Sequence, residues 1–190
     1  FSATDDEIWI FLGTTLFRLD VAASPPDWQS RRTNVTGTLA TPDAGKCTYF
    51  YDTVSSKHTV IGSAVVATVA STKVWTLNES TWKWAEVVTT GPGPAVGLDD
   101  ASSIFHNTAA WVFGGRDPGG IYKDTAYWLD TSSTPYVWST YALTGLRKPQ
   151  SRGRAALVNV GSDVFLFGGK NLVGMFGDVW KIDLFTGACT

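Results

Sequence analysis

Val112-Phe113-Gly114-Gly115 and Phe165-Leu166-Phe167-Gly168-Gly169 decide the fold of this chain, because one apolar run closing on a glycine pair returns after 54 residues. Two weaker copies stand upstream, Ile10-Phe11-Leu12-Gly13 and Val60-Ile61-Gly62-Ser63, where Thr14 and Ser63 replace the second glycine. The four leading glycines are 49, 52 and 54 residues apart. Behind each comes an aromatic three residues ahead of an Asp or Asn: Phe17 before Asp20, Trp75 before Asn78, Tyr127 before Asp130 and Trp180 before Asp183. A tryptophan follows at Trp28, Trp84 and Trp138, and the fourth is expected at or just beyond Thr190.

Between these marks the chain reads as short apolar runs with period-two alternation, separated by turn residues, which is the pattern of antiparallel strands. In the last unit Ala155 to Val160 is one strand, Gly161-Ser162-Asp163 a turn, and Val164 to Phe167 the next. A repeat of about fifty residues carrying four such strands is the unit of a β-propeller. The glycine pairs Gly114-Gly115 and Gly168-Gly169 let the chain turn where units come close. Trp28, Trp84, Trp138 and Trp180 are expected to fill the wedge between twisted sheets. Most of the nine Trp, ten Phe and six Tyr thereby have a packing role before any functional one.

An apolar strand ending in Gly-Gly, a variable loop, an aromatic-bearing strand and a Trp on the last strand resemble the kelch repeat of the galactose oxidase and kelch-like superfamily. The resemblance covers nearly the whole chain and implies an all-β fold: a kelch-type propeller segment of four-stranded antiparallel blades, incomplete at both ends. The blades are expected over about 1–32, 46–88, 101–142 and 152–190, the first opening near the turn Thr4-Asp5-Asp6-Glu7 without its innermost strand. Kelch-type propellers commonly have six or seven blades, so a fragment of a longer protein is expected. Its missing blades, or other copies of it, would cover the open strand edges.

The formal net charge of −2 with scattered Lys and Arg argues against nucleic acid, which calls for a basic stripe. No apolar run reaches membrane-spanning length. Cys47 and Cys189 fall in different strands of different blades, which does not suggest that they pair. Asn34-Val35-Thr36 and Asn78-Glu79-Ser80 are potential N-glycosylation sequons in expected loops or turns. With the low charge and abundant Thr, Ser, Ala and Gly, they point to an extracellular or cell-surface glycoprotein.

Positive signs of catalysis are few. The copper radical oxidases that share this architecture use tyrosines, a crosslinked cysteine and histidines, whereas this chain has only His58 and His106, at non-equivalent repeat positions. Ligands must converge within about 2 Å of one ion, so the histidines read as surface or edge residues and no metal or other cofactor is expected. Cys47-Thr48-Tyr49 places a thiol near a phenol only along one strand. The glycine-rich stretch Gly114 to Gly120 leads into a strand and not a helix, which excludes a phosphate cradle.

Recognition is expected at the loops between second and third strands, Arg116 to Lys123 and Lys170 to Gly177, joined on one face by the connections Thr33 to Gly45, Thr89 to Asp100 and Leu143 to Arg152. Arg116, Asp117, Tyr122, Lys123, Asn171, Met175 and Phe176 are the candidate contacts, and Arg152 and Arg154 are expected to be structural. The function expected is a non-catalytic interaction or scaffold module binding protein or glycan partners, or building a surface assembly. The alternatives are part of a galactose-oxidase-like enzyme and an intracellular kelch adaptor.

Overall fold

The computed structural model describes residues 7–12, 15–32, 34–35, 46–66 and 69–190. Gly13 and Thr14, the turn before Glu7, and most of the connection from Thr33 to Gly45 lie outside the described residues.

The strands fall into four antiparallel sheets, one per repeat. The first holds β1 (Glu7–Leu12), β2 (Thr15–Asp20) and β3 (Asp27–Arg32). After the short β4 (Asn34–Val35), the second is built from β5 (Thr48–Asp52), β6 (Lys57–Val66), β7 (Val69–Asn78) and β8 (Lys83–Val87). Beyond β9 (Thr89–Thr90), the third contains β10 (Ser102–His106), β11 (Ala109–Phe113), β12 (Ala126–Asp130) and β13 (Tyr136–Tyr141). The fourth has β14 (Ala156–Val160), β15 (Asp163–Phe167) and β16 (Val179–Asp183). We call these sheets blades I to IV. Strands β5, β10 and β14 contact one another in series and form the inner wall of the propeller.

The repeat marks have separate physical roles. Asp20, Asn78, Asp130 and Asp183 each use Oδ1 to accept a backbone N–H two or three residues on, shaping the turn after the third strand of every blade. Gly114 and Gly115 adopt φ of +66° and +93°, and Gly168 and Gly169 φ of +58° and +97°. A Cβ on Gly114 would strike the carbonyl oxygen of Arg152, and one on Gly115 would lie 2.9 Å from that of Asp99. Both the left-handed turn and the close approach of the incoming linker therefore require glycine.

Gly62 has no such turn, and Ser63 follows it. Strand β6 accordingly runs on to Val66 and pairs back along β7 from Gly62↔Lys73 to Val66↔Val69. This longer hairpin reaches the linker of the next blade: Thr72 Oγ1 donates to the Val96 carbonyl at 2.7 Å, and Ser63 Oγ to Asp99. A Cβ on Gly97 would collide with Ser63.

Three apolar clusters lie between consecutive blades. Leu16 meets Val60, Trp75, Leu77 and Trp84 between I and II. Phe50, Ile61 and Val74 meet Val112, Leu129 and Trp138 between II and III. Trp111, Phe113 and Ala126 meet Val164, Leu166, Ile182 and Cys189 between III and IV, with Trp180 packed against them.

Two expectations need correction. The fourth blade does begin its last strand: Ala188, Cys189 and Thr190 align along β16, and Cys189 bridges to Ile182 as Trp138 pairs with Leu129 and Trp84 with Leu77. Cys189 thus occupies the tryptophan position, because the turn after Asp183 is as short as that after Asn78. Trp28 pairs with Leu19 in the same register, yet its ring is exposed, because none of the three clusters lies on that side of blade I.

The linkers carry a repeat of their own. Each forms a short parallel pairing with the outermost strand of the next blade: Asn34-Val35 with Lys83-Trp84, Thr89-Thr90 with Tyr136-Val137, and Thr144 with Ala188.

Candidate functional site

Linkers and second-to-third loops share one face of the propeller and are hydrogen-bonded to each other there. At the inner rim the Asp100 N–H donates to the Lys46 carbonyl and the Arg154 N–H to the Asp100 carbonyl, both at 2.8 Å. Lys46, Asp100 and Arg154 are equivalent residues 54 apart, so these bonds run from blade to blade. Further out, Asp99 bridges to Arg116 and Arg116 to Tyr122, while Gly153 bridges to Lys170 and Lys170 to Met175. Each loop is therefore a small hairpin rooted on a linker.

Charges at the rim are paired in series. The buried carboxylate of Asp100 accepts from Arg154 Nε at 3.0 Å, and Arg116 Nη2 lies 3.8 Å from its other oxygen. Arg154 is more than half exposed and borders an open cavity of about 370 Å3 with Cys47, Thr48, Ser102 and Ser103. The hydroxyls there are engaged between blades: Thr48 Oγ1 lies 2.7 Å from Ser103 Oγ, and Ser102 Oγ donates to the Ala155 carbonyl at 2.7 Å. Below it, a groove of about 640 Å3 follows the inner strands past Tyr51, Phe105 and Val158.

The candidate contacts divide into supports and tips. Asp117 binds Lys123 Nζ at 2.8 Å and accepts the Ile121 N–H at 2.9 Å, and the Lys123 bond holds its carboxyl below the usual range. Asn171 donates from Nδ2 to the Ser151 carbonyl at 3.0 Å and accepts the Val173 N–H at 2.8 Å. Phe176 lies beneath the Arg152 guanidinium, 3.9 Å from ring centroid to Cζ. Arg152 is fully buried, and the expected structural role is what its contacts describe: it donates to Asp178, to the Gly168 carbonyl at 2.8 Å and to the Gln150 carbonyl at 3.0 Å.

Met175 does not fold back with Phe176. It is 90% exposed, beside Leu172 at 82% and Val173 at 95%. Ile121 at the tip of the sister loop is also exposed. Leu172 and Val173 were not among the sequence candidates, although a Leu-Val-Gly-Met run inside a loop is itself a signal, since loops are ordinarily polar.

His58 corrects the surface or edge assignment. It is wholly buried on β6, with Nδ1 2.6 Å from the Tyr49 hydroxyl and Nε2 3.5 Å from Glu79, and burial pushes its pKa down to about 4. Burial also raises the Tyr49 phenol. His106 ends β10 and is not part of this group. Among the described residues no three His, Cys, Asp or Glu side chains converge as a metal site, and no disulfide joins Cys47 or Cys189 to another described residue. Among the described residues no helix is long and apolar enough to cross a membrane.

Of the sequon residues, Asn78 is exposed at the end of β7, where its Oδ1 accepts the Thr81 N–H at 3.0 Å. Asn34 belongs to β4 and pairs with Lys83.

Repeated four-stranded blades, diglycine turns and a loop-bearing rim define a kelch-type β-propeller. The chain belongs to the kelch-repeat family: residues 8–188 match the KLHDC2/KLHL20/DRC7 Kelch-repeats domain. Among solved structures it is similar to YjhT, with a TM-score of 0.71 at 17% identity. That likeness covers all of this chain and 62% of YjhT, so this chain spans less than two thirds of that protein. A search of curated proteins found no match.

Proposed function

We propose that this chain is a protein-binding propeller segment that takes its partner on the face formed by the linkers and the second-to-third loops. Leu172, Val173 and Met175 are the apolar anchor, and Arg116, Tyr122 and Arg154 form the polar surroundings. The observation that carries this reading is the contrast within one loop. Its base is fixed by Asn171, Phe176 and Arg152, while three large apolar side chains at its tip are more than four-fifths exposed. A rigid base lowers the ordering cost of binding, and apolar anchors supply most of its energy. Kelch-family membership supports an interaction role.

The test is capture of partners by the chain and by a Leu172→Ser, Val173→Ser, Met175→Ser variant. A Phe185→Ser variant, altered on the opposite face, serves as control. A partner retained by the control and lost by the triple variant supports the reading, whereas equal retention by all three removes it.

The sequons and the low charge support an extracellular setting with glycans on Asn34 and Asn78. Secreted protein should then lose mass on treatment with a peptide N-glycosidase, and an unchanged mass would count against this setting.

A further inference from the structure

The two second-to-third loops share a plan. Each is a short hairpin with a basic residue where it roots on the linker, Arg116 in blade III and Lys170 in blade IV, bridged to Tyr122 and Met175 respectively. In blade IV, Asn171 Oδ1 accepts the Val173 and Gly174 N–H groups and closes the apex, from which the Leu172 and Val173 side chains project into solvent. Ile121, near the apex of the blade III loop, is 59% exposed although blade IV packs against blade III. Bare apolar tips are therefore a property of these loops and not of the last blade.

The charge around the tips is one-sided. From Ala142 to Gly177 the chain carries five basic residues, Arg147, Lys148, Arg152, Arg154 and Lys170, and a single acidic one, Asp163. Asp163 starts β15 at the opposite end of the blade, where it pairs with Lys181 at 2.9 Å. On the loop face Asp178 neutralises Arg152, Lys123 takes Asp117, and the one carboxylate of Asp100 lies between Arg116 and Arg154. This leaves the exposed carboxylate of Asp124 against Arg147, Lys148 and Lys170, and none of these four forms an ion pair among the described residues. Phe185, exposed on the opposite face, stands instead two residues from Asp183, with Glu79 and Asp130 at the equivalent turns of blades II and III.

We propose that the loop face seats on an anionic membrane surface, with Ile121, Leu172, Val173 and Met175 entering the headgroup region and Arg147, Lys148 and Lys170 meeting anionic headgroups. Interfacial binding draws on buried apolar side chains and on surrounding cations together, each cation adding about fivefold in affinity. Apolar tips on an acid-free loop beside surplus cations match that surface in both respects, and such seating needs no spanning segment. The lipid surface is a second ligand for this face: it shares the exposed tip with the protein-binding reading and requires no protein partner.

The test is cosedimentation of the chain with vesicles of phosphatidylcholine alone and of phosphatidylcholine mixed with phosphatidylserine, with cooperative thermal unfolding as the check that each variant folds. The unaltered chain and Phe185→Ser should sediment with the mixed vesicles and not with phosphatidylcholine alone. Lys148→Gln combined with Lys170→Gln should weaken binding on the order of tenfold, and the Leu172→Ser, Val173→Ser, Met175→Ser variant should lose it. The proposal is overturned if the unaltered chain stays in solution, if it binds both vesicle types equally, or if Phe185→Ser loses binding. Full binding by the triple variant would also overturn it, by showing ionic adsorption without insertion. If that variant does not unfold cooperatively, Val173→Ser alone replaces it and is judged by whether binding weakens. Partner capture without vesicles reads the protein-binding proposal separately, so either can fail while the other stands.

Discussion

Arg152 grips Asp178 with two guanidinium nitrogens, Nη1 to Oδ1 at 2.5 Å and Nη2 to Oδ2 at 2.9 Å. The carboxylate also accepts Trp180 Nε1 at 2.7 Å, so one ion pair ties the linker entering blade IV to the start of β16. In blade III the equivalent residues are Leu98, which is buried, and Asp124. An apolar side chain can replace a buried charge, but removing one partner of a pair strands the other. Asp178→Ala should therefore destabilise the protein by about 2 kcal/mol, a value reduced from that of a fully buried pair because the carboxylate is about one third exposed. Urea unfolding at neutral pH measures it.

The same pair sets an acid limit. The Arg152 hydrogen bonds hold the Asp178 carboxyl below its ordinary value of 3.8. Its contribution is present above about pH 4 and lost as pH falls below that, through the depressed folded value. Stability measured between pH 5 and pH 2.5 should fall less steeply in Asp178→Ala than in the unaltered chain.

His58 acts in a different window. Burial keeps its imidazole neutral in the folded state down to about pH 4, while the unfolded chain takes up the proton near pH 6.5. Stability is complete above about pH 6.5 and should decline as pH falls toward 4, by at most about 3 kcal/mol. Unfolding free energies at pH 7 and pH 4.5 should differ clearly for the unaltered chain and much less for His58→Gln. Equal slopes would contradict a neutral buried histidine.

Glycine and tip substitutions should separate fold from recognition. Gly114→Val places a branched side chain at φ +66° and against the Arg152 carbonyl, and should destabilise by about 3 kcal/mol. Met175→Ala removes an exposed side chain and should change stability by less than about 0.5 kcal/mol. Thermal melts of the two variants compare them directly.

Much of the fold was legible because its marks are local. A positive-φ glycine, an Asx turn and a strand aromatic each act through neighbouring residues, so their spacing survives in the sequence. The candidate loops were legible as loops for the same reason. Burial of His58 was not, since it depends on Tyr49 from β5 and on the turn beyond β7. Cys189 escaped notice because its identity differs from tryptophan, although Asn78 to Trp84 shows the same six-residue spacing as Asp183 to Cys189. The division of Met175 from Phe176 depends on Arg152, more than twenty residues away, which claims one ring and leaves the neighbouring side chain exposed.

Amide hydrogen exchange on the complex with a captured protein partner tests the proposed binding face most directly. Exchange should slow at 116–123 and 170–177 and remain unchanged at the opposite turns, 53–56, 107–108, 161–162 and 185–187. Protection confined to those opposite turns, with 170–177 unaffected, would contradict the assignment.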